Sequence, residues 1–133
     1  MRGGTSVRTS VSSPKFTGET LPSWIPNLKG HPSHLDVSAV IHDGSNDNKA
    51  KRLSLAVINR AERDAFVDVP VRVAFDQGCA TMADVYELWD EDVKAVNRWE
   101  DPDRVRVHHR RERWGGKWTF KEHSFTLLII ELN

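Results

Sequence analysis

The sequence predicts an all-β protein, a two-sheet antiparallel β-sandwich of jelly-roll-like type with an irregular N-terminal lead-in. Three observations carry this expectation. Short β-branched stretches recur between turn signals roughly every 8 to 15 residues. No segment has the sustained spacing of a long amphipathic helix, and strands do not alternate with helices as a parallel sheet requires. Many short strands of this kind are buried most economically as two antiparallel sheets packed face to face.

Residues 1–34 form the lead-in. They are rich in Ser, Thr, Gly and Pro, and Pro14, Pro22, Pro26 and Pro32 fall too close together for a helix or central strand to persist. Phe16, Leu21, Trp24 and Ile25 are its apolar exceptions and suit a tail lying on a folded body. Residues 35–133 form the sandwich. Leu35 to Ile41 is short, β-branched and followed by the turn-forming run Asp43 to Asn48, and Leu53 to Asn59 repeats the pattern, so the two read as a hairpin or meander. Val67, Val69, Val71, Val73 and Phe75 alternate with Asp68, Pro70, Arg72 and Ala74, one face buried and one wet. Pro70 lacks a donor N–H and puts this strand at a sheet edge.

Residues 79–92 are ambiguous. Met82, Val85 and Trp89 fit a helical stripe, whereas Thr81, Ala83, Val85 and Trp89 fit one face of a strand with Glu87 out of place. Val105 and Val107 flank Arg106 in another alternating piece, Trp114 to Trp118 reads as a tight connection through Gly115 and Gly116, and Phe125 to Leu132 closes the chain as a buried strand.

At 133 residues the chain is the size of one domain and can bury roughly two thirds of its unfolded surface. With 38% hydrophobic and 29% charged residues it has a globular composition, so a packed core is expected. Lys+Arg and Asp+Glu both number 19, which gives no general pull toward nucleic acid or an anionic membrane. The longest apolar run, Phe125 to Ile130 with Thr126 inside it, falls far short of the ~20 residues of a membrane-spanning helix. Cys79 is the single cysteine, which excludes an internal disulfide and reads as a half-buried thiol. The first residues lack a secretory apolar stretch, and compartment is left open.

Several stretches, in order and at family spacing, resemble the C-terminal domain of the retaining α-L-arabinofuranosidases of glycoside hydrolase family 51. They are Ser13-Pro14-Lys15-Phe16 with Leu21-Pro22, Leu35 to Val40, and Leu55-Ala56-Val57-Ile58-Asn59-Arg60. Tyr86-Glu87-Leu88, Asn97 with Pro102 and Val105, and His123-Ser124-Phe125-Thr126 follow. The resemblance spans residues 10–132 and implies a strand where Met82 to Trp89 stand. It also implies a parent enzyme that hydrolyses terminal non-reducing α-L-arabinofuranosyl residues, in L-arabinose metabolism, on a (β/α)8 barrel carrying two glutamates. Retention needs two carboxyls roughly 5–5.5 Å apart. A barrel takes at least about 200 residues, so none fits here and no catalytic residue is carried over. The chain alone is expected to be inactive, with the barrel as its partner. The resemblance implies further that a strand from the start of the whole enzyme completes the sandwich, so that the detached domain has an open, association-prone edge.

Residues 104–118 are richer in Arg, His and Trp than the family pattern. Arg104, Arg106, Arg110, Arg111 and Arg113 around His108-His109 invite a phosphate or nucleic-acid reading, but a solvated, lengthened loop facing the acidic residues Asp84, Glu87, Asp90, Glu91 and Asp92 is the expectation, with no nucleic-acid partner. Trp89, Trp99, Trp114 and Trp118 are read first as core residues. Trp114 and Trp118 are nevertheless the candidates for a sugar-stacking platform, by which the chain would act as an independent carbohydrate-binding module on arabinose-containing polysaccharide. Adjacent His108 and His109 would point to opposite faces of a strand, and His31 with His34 lacks further ligands, so neither a metal nor a cofactor is expected. Glu122 with His123 reads as structural, at the turn into the last strand. A truncated gene product of the parent enzyme fits the same observations.

Overall fold

The computed structural model describes residues 4–16, 32–44, 51–68 and 82–132. Among them there are eight strands in two antiparallel sheets and no helix, as the short β-branched stretches predict. The strands are β1 (Thr5–Val7), β2 (Leu35–His42), β3 (Lys51–Asn59), β4 (Ala65–Asp68), β5 (Met82–Leu88), β6 (Val107–Arg113), β7 (Lys117–Phe120) and β8 (Ser124–Leu132). The large sheet has the order β1-β2-β3-β8-β5-β6, and β4 pairs with β7 in the second.

The expected hairpin forms, with Leu35 opposite Asn59 and His42 opposite Arg52. The ambiguous stretch is a strand. Within β5 the inward side chains Ala83, Val85 and Glu87 are buried and alternate with half-buried outward ones. The last strand lies between β3 and β5 in the middle of the large sheet, covered on both flanks, with its inner face buried and its outer face half-buried except at the exposed Phe125.

The core lies between the sheets. Leu35, Ala39, Leu55, Val57, Ala83, Val85, Leu128, Ile130 and Leu132 contribute from the large sheet, and Trp114 and Phe120 from the β6–β7–β8 corner, with Ala65, Val67 and Trp118 packed against them. Val85, Leu128 and Ile130 are wholly buried. At about 25 cal/mol per Å² of apolar surface, each contributes roughly 2 kcal/mol.

One sequence expectation is revised. Residues 107–113, read as part of a solvated loop, form the edge strand β6, and the alternation expected from Val105 begins only at Val107. Apolar alternation is missing because both faces of β6 carry charged or polar side chains, most of them exposed. The lead-in contains β1, which pairs with β2 from Thr5 opposite Ile41 to Val7 opposite Ala39. Only the start of the Val67–Phe75 stretch is described, as β4; Pro70, Cys79 and His31 lie outside the described residues.

The corners are built from the family-like residues. Asn59, 1% exposed at the end of β3, donates from Nδ2 to the carbonyl oxygens of Arg63 (3.0 Å), Phe120 (3.1 Å) and Lys121 (3.0 Å). Its Oδ1 accepts from the Ala61 N–H at 3.0 Å. Arg60 ties the lead-in to this corner, its guanidinium bonding the Ser33 carbonyl at 2.6 Å and its N–H that of His34 at 2.9 Å. Glu122 and His123 occupy the turn before β8, where His123 adopts φ 46° and Ser124 Oγ bonds the Lys121 carbonyl at 2.6 Å. The β6–β7 connection turns at Gly116, whose φ of 75° favours glycine.

Candidate functional site

The register of the large sheet builds its outer face rung by rung. At one end Asp36 pairs with Ile58, Ile58 with Phe125, Phe125 with Leu88, and Leu88 with Val107. Side chains in register across a sheet point to the same face, so this rung is a row of four apolar groups. Ile58 and Phe125 are each 41% exposed and Val107 58%. The next rung, Ser38, Ala56, Leu127, Tyr86 and His109, turns polar toward β6. The one after it carries Asp84 beside Arg111, with Ser54 buried. The apolar opening is therefore confined to one end.

A groove of about 420 Å³ lies beside that rung, between Ile58, Leu88 and Phe125 on the sheet and Trp89, Val93 and Val105 on the 89–106 connection, with Arg60, Asp90, Asp92 and His123 at its rim. A second hollow of about 180 Å³ lies on the other side of the Ile58–Phe125 ridge, toward Asp36 and Ser38. Lys121 Nζ sits 5.5 Å from the centre of the Trp89 ring.

The connection from β5 to β6 is ordered by its own polar groups. Asn97 clamps Val105 in both directions, Nδ2 to the carbonyl at 2.9 Å and the Val105 N–H to Oδ1 at 2.7 Å. Arg98 and Asp101 exchange backbone bonds at 3.1 Å each, and Arg104 joins Asp92 at 3.1 Å and Asp90 at 3.9 Å. Asn97 and Val105, both in the family-like pattern, are thus the stem of the loop. At its tip Trp99 is 96% exposed, beside a hollow of about 430 Å³ that it lines with Asn97, Arg98 and Pro102.

Trp114 and Trp118, the candidates for a sugar platform, stack on each other with ring centres 6.4 Å apart and planes 16° apart. Trp114 belongs to the core at 8% exposure, and Trp118 is half-buried with the Arg110 guanidinium 5.3 Å from its ring centre.

The arginines of β6 meet the acidic residues of β5 and β8. Arg110 bonds Glu87 at 3.1 Å and Glu112 at 2.7 Å; Arg111 bonds Asp84 at 3.0 Å and Glu131 at 2.7 Å. Burial opposes the charge of Arg110, but the bonds to Glu87 and Glu112 outweigh it and hold its pKa above the usual value. The bond to Glu131, with the Glu131 and Asp84 charges, raises Arg111 likewise. His109 faces outward, stacked on Tyr86 at 4.4 Å with Nε2 3.1 Å from Asp84, while His108 takes the opposite face, as adjacent strand residues must. His34 packs on Phe16. Among the described residues no group of three or more His, Cys, Asp or Glu is placed to hold a metal.

The apolar rung was absent from the sequence-derived candidates. One signal pointed to it: the run Phe125, Leu127, Ile129 places apolar groups on the face that alternation would leave wet.

The fold agrees with that of known proteins this chain resembles. No family model matches the chain. It is 33% identical over 130 residues to a probable α-L-arabinofuranosidase C of Aspergillus clavatus, across 96% of this chain and 22% of that protein. Its structure is similar to that of the family 51 α-L-arabinofuranosidase of Thermotoga petrophila, with 31% identity, a TM-score of 0.58, and 76% of this chain aligned on 20% of that one. The arabinose complex of the Thermotoga maritima enzyme aligns at 27% identity and a TM-score of 0.67, over 96% of this chain and 26% of that one. The chain thus spans a fifth to a quarter of the length of these relatives. It is recognised as a C-terminal domain of the glycoside hydrolase family 51 α-L-arabinofuranosidases.

Proposed function

We propose that this chain is the accessory domain of an α-L-arabinofuranosidase, serving an enzyme that removes terminal non-reducing α-L-arabinofuranosyl residues without itself supplying the catalytic carboxyls. The observation that carries the reading is the asymmetry of coverage, nearly all of this chain against about a quarter of the relatives. A (β/α)8 barrel with its two glutamates belongs to the remainder, and this sandwich packs against it. The chemistry of the described surface agrees. Asp84, Glu87, Glu112, Glu131, Asp90 and Asp92 are ion-paired with Arg104, Arg110 and Arg111, two carboxylates to each guanidinium, whereas a retaining pair needs one carboxyl held protonated and the other ionised across a cleft.

Affinity electrophoresis in arabinoxylan gels tests this reading against an independent carbohydrate-binding module. An accessory domain migrates as it does in a gel without polysaccharide. Retardation that is lost in Trp118→Ala would assign the chain to polysaccharide binding instead.

A further inference from the structure

We propose that the apolar end of the large sheet, together with the 89–106 loop, is the surface through which this domain docks on the remainder of its parent enzyme. The inference rests on the accessory-domain reading and assigns it a place on the molecule.

Among the described residues, every exposed large hydrophobic except Val11 lies at this end: Ile58, Phe125 and Val107 on the sheet, and Val93, Val96 and Trp99 on the loop that springs from the same rung. The groove joins Val93 to Ile58 and Phe125, and exposed apolar groups gathered in this way mark interaction sites. The patch crosses four strands and a loop, a footprint suited to a protein interface of roughly 800 Å² per partner rather than to one or two sugar rings. Apart from His123, the polar groups named at its rim are also committed within the chain. Asn59 holds the corner, Arg60 bonds Ser33, and Asp90 and Asp92 are paired with Arg104. A saccharide needs convergent polar groups around an apolar platform. A protein face with apolar side chains does not.

The loop is ordered before any partner arrives. The Asn97–Val105 clamp, the Arg98–Asp101 turn and the Arg104 ion pairs fix its backbone, so placing Trp99 on a partner costs little further conformational freedom. An exposed tryptophan on a rigid loop is the residue type that dominates interface energetics. The partner is the rest of the polypeptide, because the relatives devote about three quarters of their length or more to it and that body must meet this domain somewhere.

The test grafts this chain in place of its matching quarter in the Thermotoga maritima enzyme and compares amide hydrogen exchange in the graft with that of the chain alone. Docking here slows exchange by about tenfold or more through residues 92–106. The double variant Ile58→Lys/Phe125→Lys abolishes that protection, and Val11→Lys leaves it intact. Protection confined to another surface, such as β4 and β7, overturns the inference and keeps the accessory reading. Exchange unchanged over the whole domain overturns the accessory reading itself. Sedimentation of the chain alone tests a second copy as occupant: any association through an open sheet edge is expected to persist in the double variant, and a dimer abolished by the double variant would reassign the patch to self-association.

Discussion

At the scale of single residues, the side chains that carry the family resemblance hold corners rather than chemistry. Asn59 is the clearest case, a buried amide joining the end of β3 to the turn before β8 through four bonds. Asn59→Leu keeps the volume but strands three carbonyl oxygens and one N–H, and a buried orphan costs about 1–3 kcal/mol. Urea unfolding of this variant is expected to show a loss of about 2–4 kcal/mol at unchanged m-value. Asp64 does related work on the surface. It accepts the Glu122 N–H at 3.1 Å and the Lys121 ammonium at 3.2 Å, and these bonds, the backbone one first, hold its carboxyl below the usual range. A lowered carboxylate pKa contributes stability that is fully present above the unfolded value and lost as pH falls through the folded one. The melting temperature of Asp64→Asn should therefore lie below that of the wild type at neutral pH, and the gap should close as both are acidified through the carboxylate range.

At the scale of elements, what was legible in the sequence depended on how far burial patterned it. The β2–β3 hairpin and β8 were readable because β-branched and apolar groups fill them and turn residues bound them. Periodicity left Met82–Leu88 open between helix and strand, since its Glu87 faces inward to meet Arg110, and only the family resemblance decided it. β6 was read as loop for a physical reason. At a sheet edge with ion pairs on both faces, a strand needs no apolar alternation, and its charges are what a solvated loop would also show. Those charges have a second effect. Among the described residues no strand pairs with the outer edge of β6, and Arg111, Arg113 and His109 guard it against pairing with another chain. Replacing all three by Thr should give stronger concentration-dependent association by light scattering than the wild type shows. The matching ion pairs are exposed and worth at most about 1 kcal/mol each, so association rather than unfolding is the expected phenotype.

At the scale of the whole molecule, the site was the least legible part. Trp114 and Trp118 attracted attention as aromatics in an unusual segment, yet Trp114 lies in the core with Trp118 against it, while Trp99 and the Ile58–Phe125–Leu88–Val107 rung form the exposed apolar surface. Which apolar residues remain exposed depends on the pairing of β3, β8, β5 and β6, strands far apart in sequence, and no local pattern encodes it. The inner face of the sandwich stabilises it, and its outer end is the surface we propose to serve a larger enzyme. The central claim is that the hydrolytic carboxyls lie elsewhere in the parent. The most direct test is a hydrolysis assay of the purified chain with 4-nitrophenyl α-L-arabinofuranoside. The account predicts release of 4-nitrophenol at the buffer rate at every protein concentration, and a rate rising in proportion to the protein would contradict it.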